Sequence, residues 1–472
     1  MTLVMKFGGT SVGSGQAIRE TADLIEQSKA DWGQVVVVAS AMGSKPVKVT
    51  DLLLQGATAA AVGDGSIYPK TAVTLRQIHH ETIADLLADS PKKEAVTAEI
   101  ERFIQRFEAL CQAVLVLGEL SPRALDTIGG MGEQMSVRLL AAYLTHTGRP
   151  AVAIDATDLI VTDDVFGSAT PQMELTTQQV VAKIRPLFEQ GIIPIVTGFI
   201  GATVDGVTTT LGRGGSDFSG AILGQALAAK EVWIWTDVDG VMSADPRLVT
   251  AARSIPKLTY REVSELAYYG ARVLHPKTMR PCISNNIPLR IKNTFNPSHP
   301  GTVIVPDGQG VNGGIKAVTA IEKLSLVTIE GKGMIGIPGI AARAFGAVAQ
   351  TDVSVLLISQ ASSEQSICFA APDAATDRVI ASLDAAFAEE LSRRDIDSIW
   401  AMRPVSIVTI VGAGMRHTPG IAGRIFTALG QNGVNVVAIA QGSSECSISL
   451  VVAAEETAVA VSHIHDLIVA QT

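Results

Sequence analysis

Up to about residue 292 the chain alternates short apolar runs with longer stretches of helical periodicity. The runs Leu3 to Phe7, Val35 to Ala39, Ala151 to Ile154, Ile192 to Val196, Val232 to Trp235 and Leu289 to Ile291 read as buried strands. Gln16 to Ser28, Thr71 to Leu87, Lys93 to Leu115, Glu133 to Thr147 and Ser216 to Ala229 read as helices. Alternation of this kind predicts an α/β fold with a mainly parallel sheet covered by helices on both faces. From Asn293 to Gly314 the pattern breaks into Asn, Pro, Gly and His around a short Thr-Val-Ile-Val strand, so 293–314 reads as a connector and a second domain is expected from Ile315.

That second part is a duplication. Val327 to Ala371 set on Val408 to Val452, at a constant offset of 81 and without a gap, gives 23 identities in 45 positions. Each copy runs strand, Gly-x-Gly-Met turn, Pro-Gly-Ile-Ala helix start, helix, strand, Gln-x-Ser-Ser-Glu loop, strand. In the second copy Ile421, Ile425 and Leu429 share a helical face, and Val434 to Ile439 and Ser447 to Val452 read as strands. The unit is most of a ferredoxin-like split β-α-β module. Gly331-Lys-Gly-Met-Ile-Gly336 matches the dinucleotide fingerprint, but its sister reads Gly412-Ala-Gly-Met-Arg-His417, and the following strand ends in Gln360 where a ribose-binding acid is required.

Composition narrows the partners. At 472 residues and 47% hydrophobic, several domains with large cores are expected. The net charge of -9, without a Lys/Arg-rich block, argues against nucleic acid or anionic membrane as the partner. No apolar run reaches the roughly 18 residues of a membrane span, and the N-terminus lacks the regions of a signal peptide, so a cytoplasmic protein is expected. Cys111, Cys282, Cys368 and Cys446 lie too far apart for zinc or dithiol motifs. His79-His80 and His463-x-His465 have no acidic or cysteine company at ligand spacing, and no protein-held metal is expected.

Candidate chemistry sits at strand ends. Val4 to Ser11 reads Val-Met-Lys-Phe-Gly-Gly-Thr-Ser, a strand closing on a lysine and two glycines before a helix opened by Ser14-Gly15-Gln16. Gly8 and Gly9 let the backbone turn tightly against a ligand and Lys6 adds a positive charge, which suits a polyphosphate; alone, the run is also a plain turn. The P-loop pattern is absent from the chain. Thr208-Thr-Thr-Leu-Gly-Arg-Gly-Gly-Ser-Asp217 places an arginine, glycines and an aspartate at a helix start. There Arg213 can hold a carboxylate or phosphate bidentately, while Asp217 can orient a lysine or a metal-nucleotide, or simply cap the helix. In Trp235-Thr-Asp-Val-Asp-Gly-Val-Met242 and Asp245-Pro-Arg247, Thr236 and Asp237 follow a buried strand, where open parallel sheets bind ligands. Ser40 ends another strand, and Glu133 opens a helix after Gly129-Gly-Met-Gly132.

Taken together these stretches resemble the aspartate kinase branch of the amino acid kinase family across essentially the whole chain. The matching runs are Lys6 to Val12, Ser40 to Met42, Gly132 to Ser136, Gly198 to Gly201, Thr209 to Asp217, Thr236 to Gly240, Asp245 to Arg247 and Gly270 to Pro276. The duplicated part is similar to the paired ACT domains of that family. The resemblance implies a three-layer amino acid kinase-type sandwich over residues 1–292 and two βαββαβ ACT modules at 315–395 and 396–472, with strands exchanged between them. It implies transfer of the ATP γ-phosphoryl group to the side-chain carboxylate of L-aspartate, with Mg²⁺ on the nucleotide.

By position, Lys6 would neutralise the moving phosphoryl group and Asp217 would organise lysine and nucleotide. Arg213 would grip the α-carboxylate of aspartate and Glu133 its ammonium group, with Ser40, Thr50, Phe199 and Ser216 lining the pocket. Gly8, Gly9, Thr236, Asp237, Met242, Arg247 and Arg272 would join Lys6 around ATP. Met242 stands where relatives can have tyrosine, and Arg272 where lysine is common, keeping the charge but losing the compact ammonium. Glu119, in Gly118-Glu-Leu-Ser121, offers a theme like that of Gly132-Glu133, but the latter lies closer to the family pattern. In the modules Gly339, Ile340, Asp352, Gln360 and Gln441 would face an effector, with lysine or threonine expected, and a homodimer would form through sheet edges of this region. A silent amino acid sensor and a glutamate-type kinase are the competing readings. The end of the chain at Thr472, soon after the second module, leads to the expectation of no fused homoserine dehydrogenase.

Overall fold

The computed structural model describes residues 1–470 apart from 45–46, 272, 308–313, 335–336, 362–364, 416–417 and 443–445. The first apolar run becomes β1 (Thr2–Phe7), followed by α1 (Gly15–Trp32), which Ser14 caps by accepting the Ala17 N–H. β2 (Gln34–Ala39), the small hairpin of β3 (Gly43–Ser44) and β4 (Val47–Lys48), and helices α2 (Val49–Ala61), α3 (Ile67–Leu86) and α4 (Lys93–Leu117) come next. Then follow α5 (Pro122–Gly129), α6 (Met131–His146), β5 (Ala151–Ile154), α7 (Met173–Glu189), β6 (Ile193–Thr197), β7 (Ile200–Ala202) and β8 (Thr208–Thr210). α8 (Gly215–Ala226), β9 (Glu231–Thr236), β10 (Lys257–Thr259), α9 (Tyr260–Tyr268), α10 (Pro276–Ser284), β11 (Leu289–Asn293) and β12 (Thr302–Val305) bring the chain to the expected connector.

Eight of these strands form one sheet in the order β10-β12-β11-β9-β1-β2-β6-β5. Every pairing in it is parallel except β11 with β12. β1 and β2 are buried along almost their whole length because helices cover both faces, so they carry continuous Val, Leu and Met rather than an alternating pattern. On one face Leu3, Met5 and Phe7 pack with Val35, Val37, Ile25 and Leu139. The Thr-Val-Ile-Val strand of the connector is β12, which joins this sheet through Thr302, Val303 and Ile304. The parallel direction puts the carboxyl ends of β1, β2, β6 and β9 on one edge of the unit.

The second compact unit contains Met242–Ile255, Arg261–Val273 and the chain from Gly310 onward. Its regular elements are β13 (Ala317–Glu330), α11 (Ile340–Ala349), β14 (Leu357–Gln360), β15 (Ser366–Pro372), α12 (Thr376–Ala386) and α13 (Ala388–Arg393). β16 (Ser398–Val411), α14 (Ile421–Gln431), β17 (Ala438–Ala440), β18 (Ser447–Ala453) and α15 (Thr457–Val469) repeat all of them but α13. One six-stranded antiparallel sheet results, in the order β14-β15-β13-β16-β18-β17. The expected strand Val434 to Ile439 is confined to its end, β17, because only Ala438 to Ala440 ladder with β18. The two earlier stretches of this unit are stitched to it: Ser243 Oγ lies 2.8 Å from His465 Nε2, and buried Glu262 meets Lys316 Nζ at 3.0 Å. Among the described residues no helix is long and apolar enough to cross a membrane.

Candidate active site

Lys6 leaves β1 toward α8, and Gly220 is what lets it approach, since a Cβ there would stand 3.3 Å from the Lys6 Cβ. Lys6 Nζ then lies 2.6 Å from Asp217 Oδ1 in the first turn of α8. Their side chains are 10% and 21% exposed, and the charges touch without the alignment of a hydrogen bond. Removing one partner of so enclosed a pair strands the other in a poorly solvated place. Beside them the Gly8 N–H donates to the Trp235 carbonyl at 3.0 Å, tying the glycine turn to the end of β9. A Cβ on Gly9 would meet the Ala41 carbonyl oxygen at 2.9 Å, so this close approach requires glycine.

A cavity of about 530 Å³ opens at this edge of the sheet and gathers Lys6, Ser40, Thr50, Glu133, Phe199, Arg213, Ser216 and Asp217. These are all of the residues that the sequence assigned to catalysis and to the acceptor substrate. Glu133, at the start of α6, is 4% exposed and its Oε2 has no hydrogen-bond partner. Burial pushes its carboxyl from an ordinary 4.5 up to about 8, against the lowering effects of the Ala41 and Glu133 peptide groups and of Lys6. A buried carboxyl group with a bare oxygen is suited to receive a cation. Arg213 projects as an exposed side chain and makes no ion pair among the described residues. It sits between Gly212 and Gly214, both left-handed at φ 78° and 72°, in the turn that leads into α8. Phe199 holds φ 69°, unusual for an aromatic residue, with its N–H donating to Ser219 Oγ and its carbonyl accepting from Leu211.

Thr236 is the last residue of β9 and its Oγ1 donates to Asp237 Oδ1 at 3.2 Å, leaving Asp237 exposed beyond the strand. Asp239 is pinned by Asn293 and Asn296, whose amides donate to its Oδ1 at 2.9 and 3.0 Å. Met242 and Arg247 belong to the second unit, where the Arg247 guanidinium is held by Asp245. Arg272 lies outside the described residues. Glu119 is exposed and does not line the cavity, whereas Glu133 does. Gly339 caps α11 at φ 93°, Ile340 points into the core under the sheet, and Asp352, Gln360 and Gln441 are exposed. The cavity wall also contains Leu54, Leu125, Asp126, Gly167 and Thr210, which sequence reasoning did not single out. For Asp126 no usable signal existed: it stands seven residues before Glu133, but α5 ends at Gly129 and α6 begins at Met131, so the two are not on one continuous helix.

The amino acid kinase family profile matches residues 1–293, and an ACT domain profile matches residues 327–387 and 408–467. The bifunctional aspartokinase/homoserine dehydrogenase 1 of Zea mays is 37% identical over 97% of this chain and 49% of its own length. The chain spans about half the length of the bifunctional plant relatives it matches. Aspartokinase 1 of Arabidopsis thaliana is 33% identical over 98% of this chain and 80% of its own. Among solved structures, E. coli aspartokinase III in complex with aspartate and ADP, in its R-state, superposes with a TM-score of 0.77 at 28% identity, covering 99% of both chains. The same enzyme in complex with lysine and aspartate, in its T-state, gives 0.78 at 29% identity, covering 98% and 99%. With the profile over residues 1–293 and the aspartokinase relatives covered along most of their length, the chain belongs to the amino acid kinase family, in its aspartokinase branch.

Proposed function

We propose that this chain is an ATP-dependent aspartate kinase that makes 4-phospho-L-aspartate and ADP, the first step toward the aspartate-derived amino acids lysine, threonine and methionine. The observation that carries the reading is the single cavity in which Lys6, Asp217, Arg213 and Glu133 converge. In this reading Glu133 receives the ammonium group of aspartate and Arg213 its α-carboxylate, with Ser40, Thr50, Phe199 and Ser216 shaping the space between. A side-chain carboxylate oxygen attacks the γ-phosphorus, the new O–P bond forms as the bond to the bridging oxygen breaks, and ADP leaves. The acceptor is already ionised at pH 7, so positioning and charge stabilisation suffice. Lys6, oriented by Asp217, neutralises the charge on the phosphoryl group; Gly8, Gly9, Thr236 and Asp237 receive the nucleotide, and Mg²⁺ arrives with ATP as part of that substrate. Met242, Arg247 and Arg272 keep their nucleotide roles on the family resemblance alone.

Residues 1–292 are read as the catalytic part, 293–314 as the connector, and 315–395 and 396–472 as ACT modules. These bind lysine or threonine through the surroundings of Gly339, Ile340, Asp352, Gln360 and Gln441 and pair chains into a homodimer. The lysine complex of the E. coli relative supports an amino acid effector. Four free cysteines suit a reducing compartment such as the cytoplasm. A coupled assay of ADP release tests the activity: turnover should depend on aspartate, and Lys6→Ala should lose more than about a hundredfold in kcat. Turnover with glutamate but not aspartate, or none with either, would sink the assignment.

A further inference from the structure

Asp126 is 3% exposed, lies on α5 and borders the cavity, yet neither catalysis nor substrate contact has been assigned to it. α5 is fixed at its start by Pro122 and by Ser121 Oγ, which accepts the Ala124 N–H. Asp126 accepts three hydrogen bonds from two other segments. Its Oδ2 takes the N–H groups of Gly167 and Thr210, both at 2.9 Å, and its Oδ1 takes the Thr210 hydroxyl at 2.7 Å. Gly167 belongs to a loop on the cavity rim, and Thr210 closes β8 three residues before Arg213. The Thr210 carbonyl is in turn fixed by the Ala169 N–H, and Leu211 donates to Phe199. With Gly212 and Gly214 in left-handed conformations, the Arg213 turn has no side-chain packing of its own at those two positions and inherits its direction from Thr210.

We propose that Asp126 is a positioning residue for the amino acid acceptor: by holding Gly167 and Thr210 together it aims the turn that carries Arg213. The inference rests on the reading that Arg213 grips the α-carboxylate of that acceptor. Such a grip acts equally in the bound complex and the transition state, so its loss raises KM and spares kcat. Asp126→Ala leaves two buried N–H groups without an acceptor, whereas Asp126→Asn keeps an oxygen for both and an amide for the Thr210 hydroxyl.

Steady-state kinetics on the full chain read the difference. Asp126→Ala should raise KM for aspartate by more than about tenfold with kcat and KM for ATP within about twofold, and Asp126→Asn should restore KM to within about threefold of the parent. If Asp126→Ala does not fold, Thr210→Val, which deletes only the hydroxyl, should raise KM for aspartate by about threefold with kcat unchanged. An unchanged KM for aspartate in folded Asp126→Ala or Thr210→Val, or equal losses in kcat and both KM values, overturns the proposal. Amide exchange separates this from the assignment of activity: peptides covering 163–171 and 206–214 should exchange faster in Asp126→Ala than in the parent, whatever the substrate. Unchanged exchange there overturns the positioning role, while absence of aspartate turnover in the parent overturns only the activity.

Discussion

A carboxylic acid enclosed as fully as Glu133 favours its neutral form, and that preference has two measurable consequences. Its folded value, about 8, stands above the ordinary 4.5, so its favourable contribution to stability is complete below about pH 4.5 and is lost as pH rises through 8. Glu133→Gln removes the ionisation and should therefore melt higher than the parent at pH 8.5 to 9, with the difference shrinking toward pH 5; calorimetry on the unliganded chain reads it. The charged groups bordering the same cavity are Lys6, Asp126, Arg213 and Asp217, of which Lys6 opposes the rise. An ammonium ligand needs the ionised form. KM for aspartate should therefore fall with rising pH up to about 8, by at most about tenfold per pH unit, and this slope should vanish in Glu133→Gln together with tight binding. A flat KM profile between pH 6.5 and 8 would remove Glu133 from ammonium recognition.

At the scale of elements, the site is a set of strand ends joined to helix starts by glycine turns. Gly214 is the N-cap of α8 at φ 72°, and a Cβ there would lie 2.9 Å from Thr278 Cγ2. Gly148 is also left-handed, at φ 82°, but with nothing within 4 Å of such a Cβ. Alanine at either should cost about 1–2 kcal/mol of backbone strain. Only Gly214→Ala should also raise KM for aspartate, because it shifts Arg213 and Asp217; equal kinetics in the two variants would mean that the turn does not set the site. These turns are also why so much was readable in advance. Ala151 to Ile154 was bounded as observed, although as the edge strand β5 it is only partly buried, and Leu3 to Phe7 and Val232 to Trp235 fell within a residue or two of β1 and β9, because strands inside a helix-covered sheet are uninterrupted apolar runs. Glu133, rather than Glu119, was selected because Gly132-Glu133 lies closer to the family pattern, and it is the one that borders the cavity. Asp126 stayed hidden for a physical reason: its partners, the Gly167 and Thr210 peptide N–H groups and the Thr210 hydroxyl, are 41 and 84 residues away, and no local pattern announces donors so distant. Likewise the place of β12 in the main sheet depends on pairing with β11, which a local apolar tetrapeptide does not encode.

On the scale of the whole molecule, the duplication predicts two equal modules, and the strand pairing makes them inseparable. The later half of β13, Leu324 to Glu330, pairs with β15, while its earlier half, Ala317 to Ile321, pairs with Val411 to Ile407 at the far end of β16. β16 does the reverse, laying Ser398 to Met402 against the later half of β13 and Val405 to Val411 against β18. Each module thus completes its four strands, in the ferredoxin-like order, with a strand half that is continuous with the other module. Ile407 and Val451 accordingly share a hydrophobic cluster with Leu324 and Leu357. A chain ending at residue 395 would lose the Ser398 to Met402 partner of the first module and leave both halves of β13 with an unpaired edge. That truncation should be insoluble or should dissociate from an ordered sheet, whereas a repeat array with independent units would tolerate it. For the same reason Val408→Lys, at a buried position of β16 in the second module, should destabilise the first module too. In amide exchange, peptides from β15 and β18 should lose protection together in that variant; loss confined to β18 would show that the modules fold independently despite the shared strands.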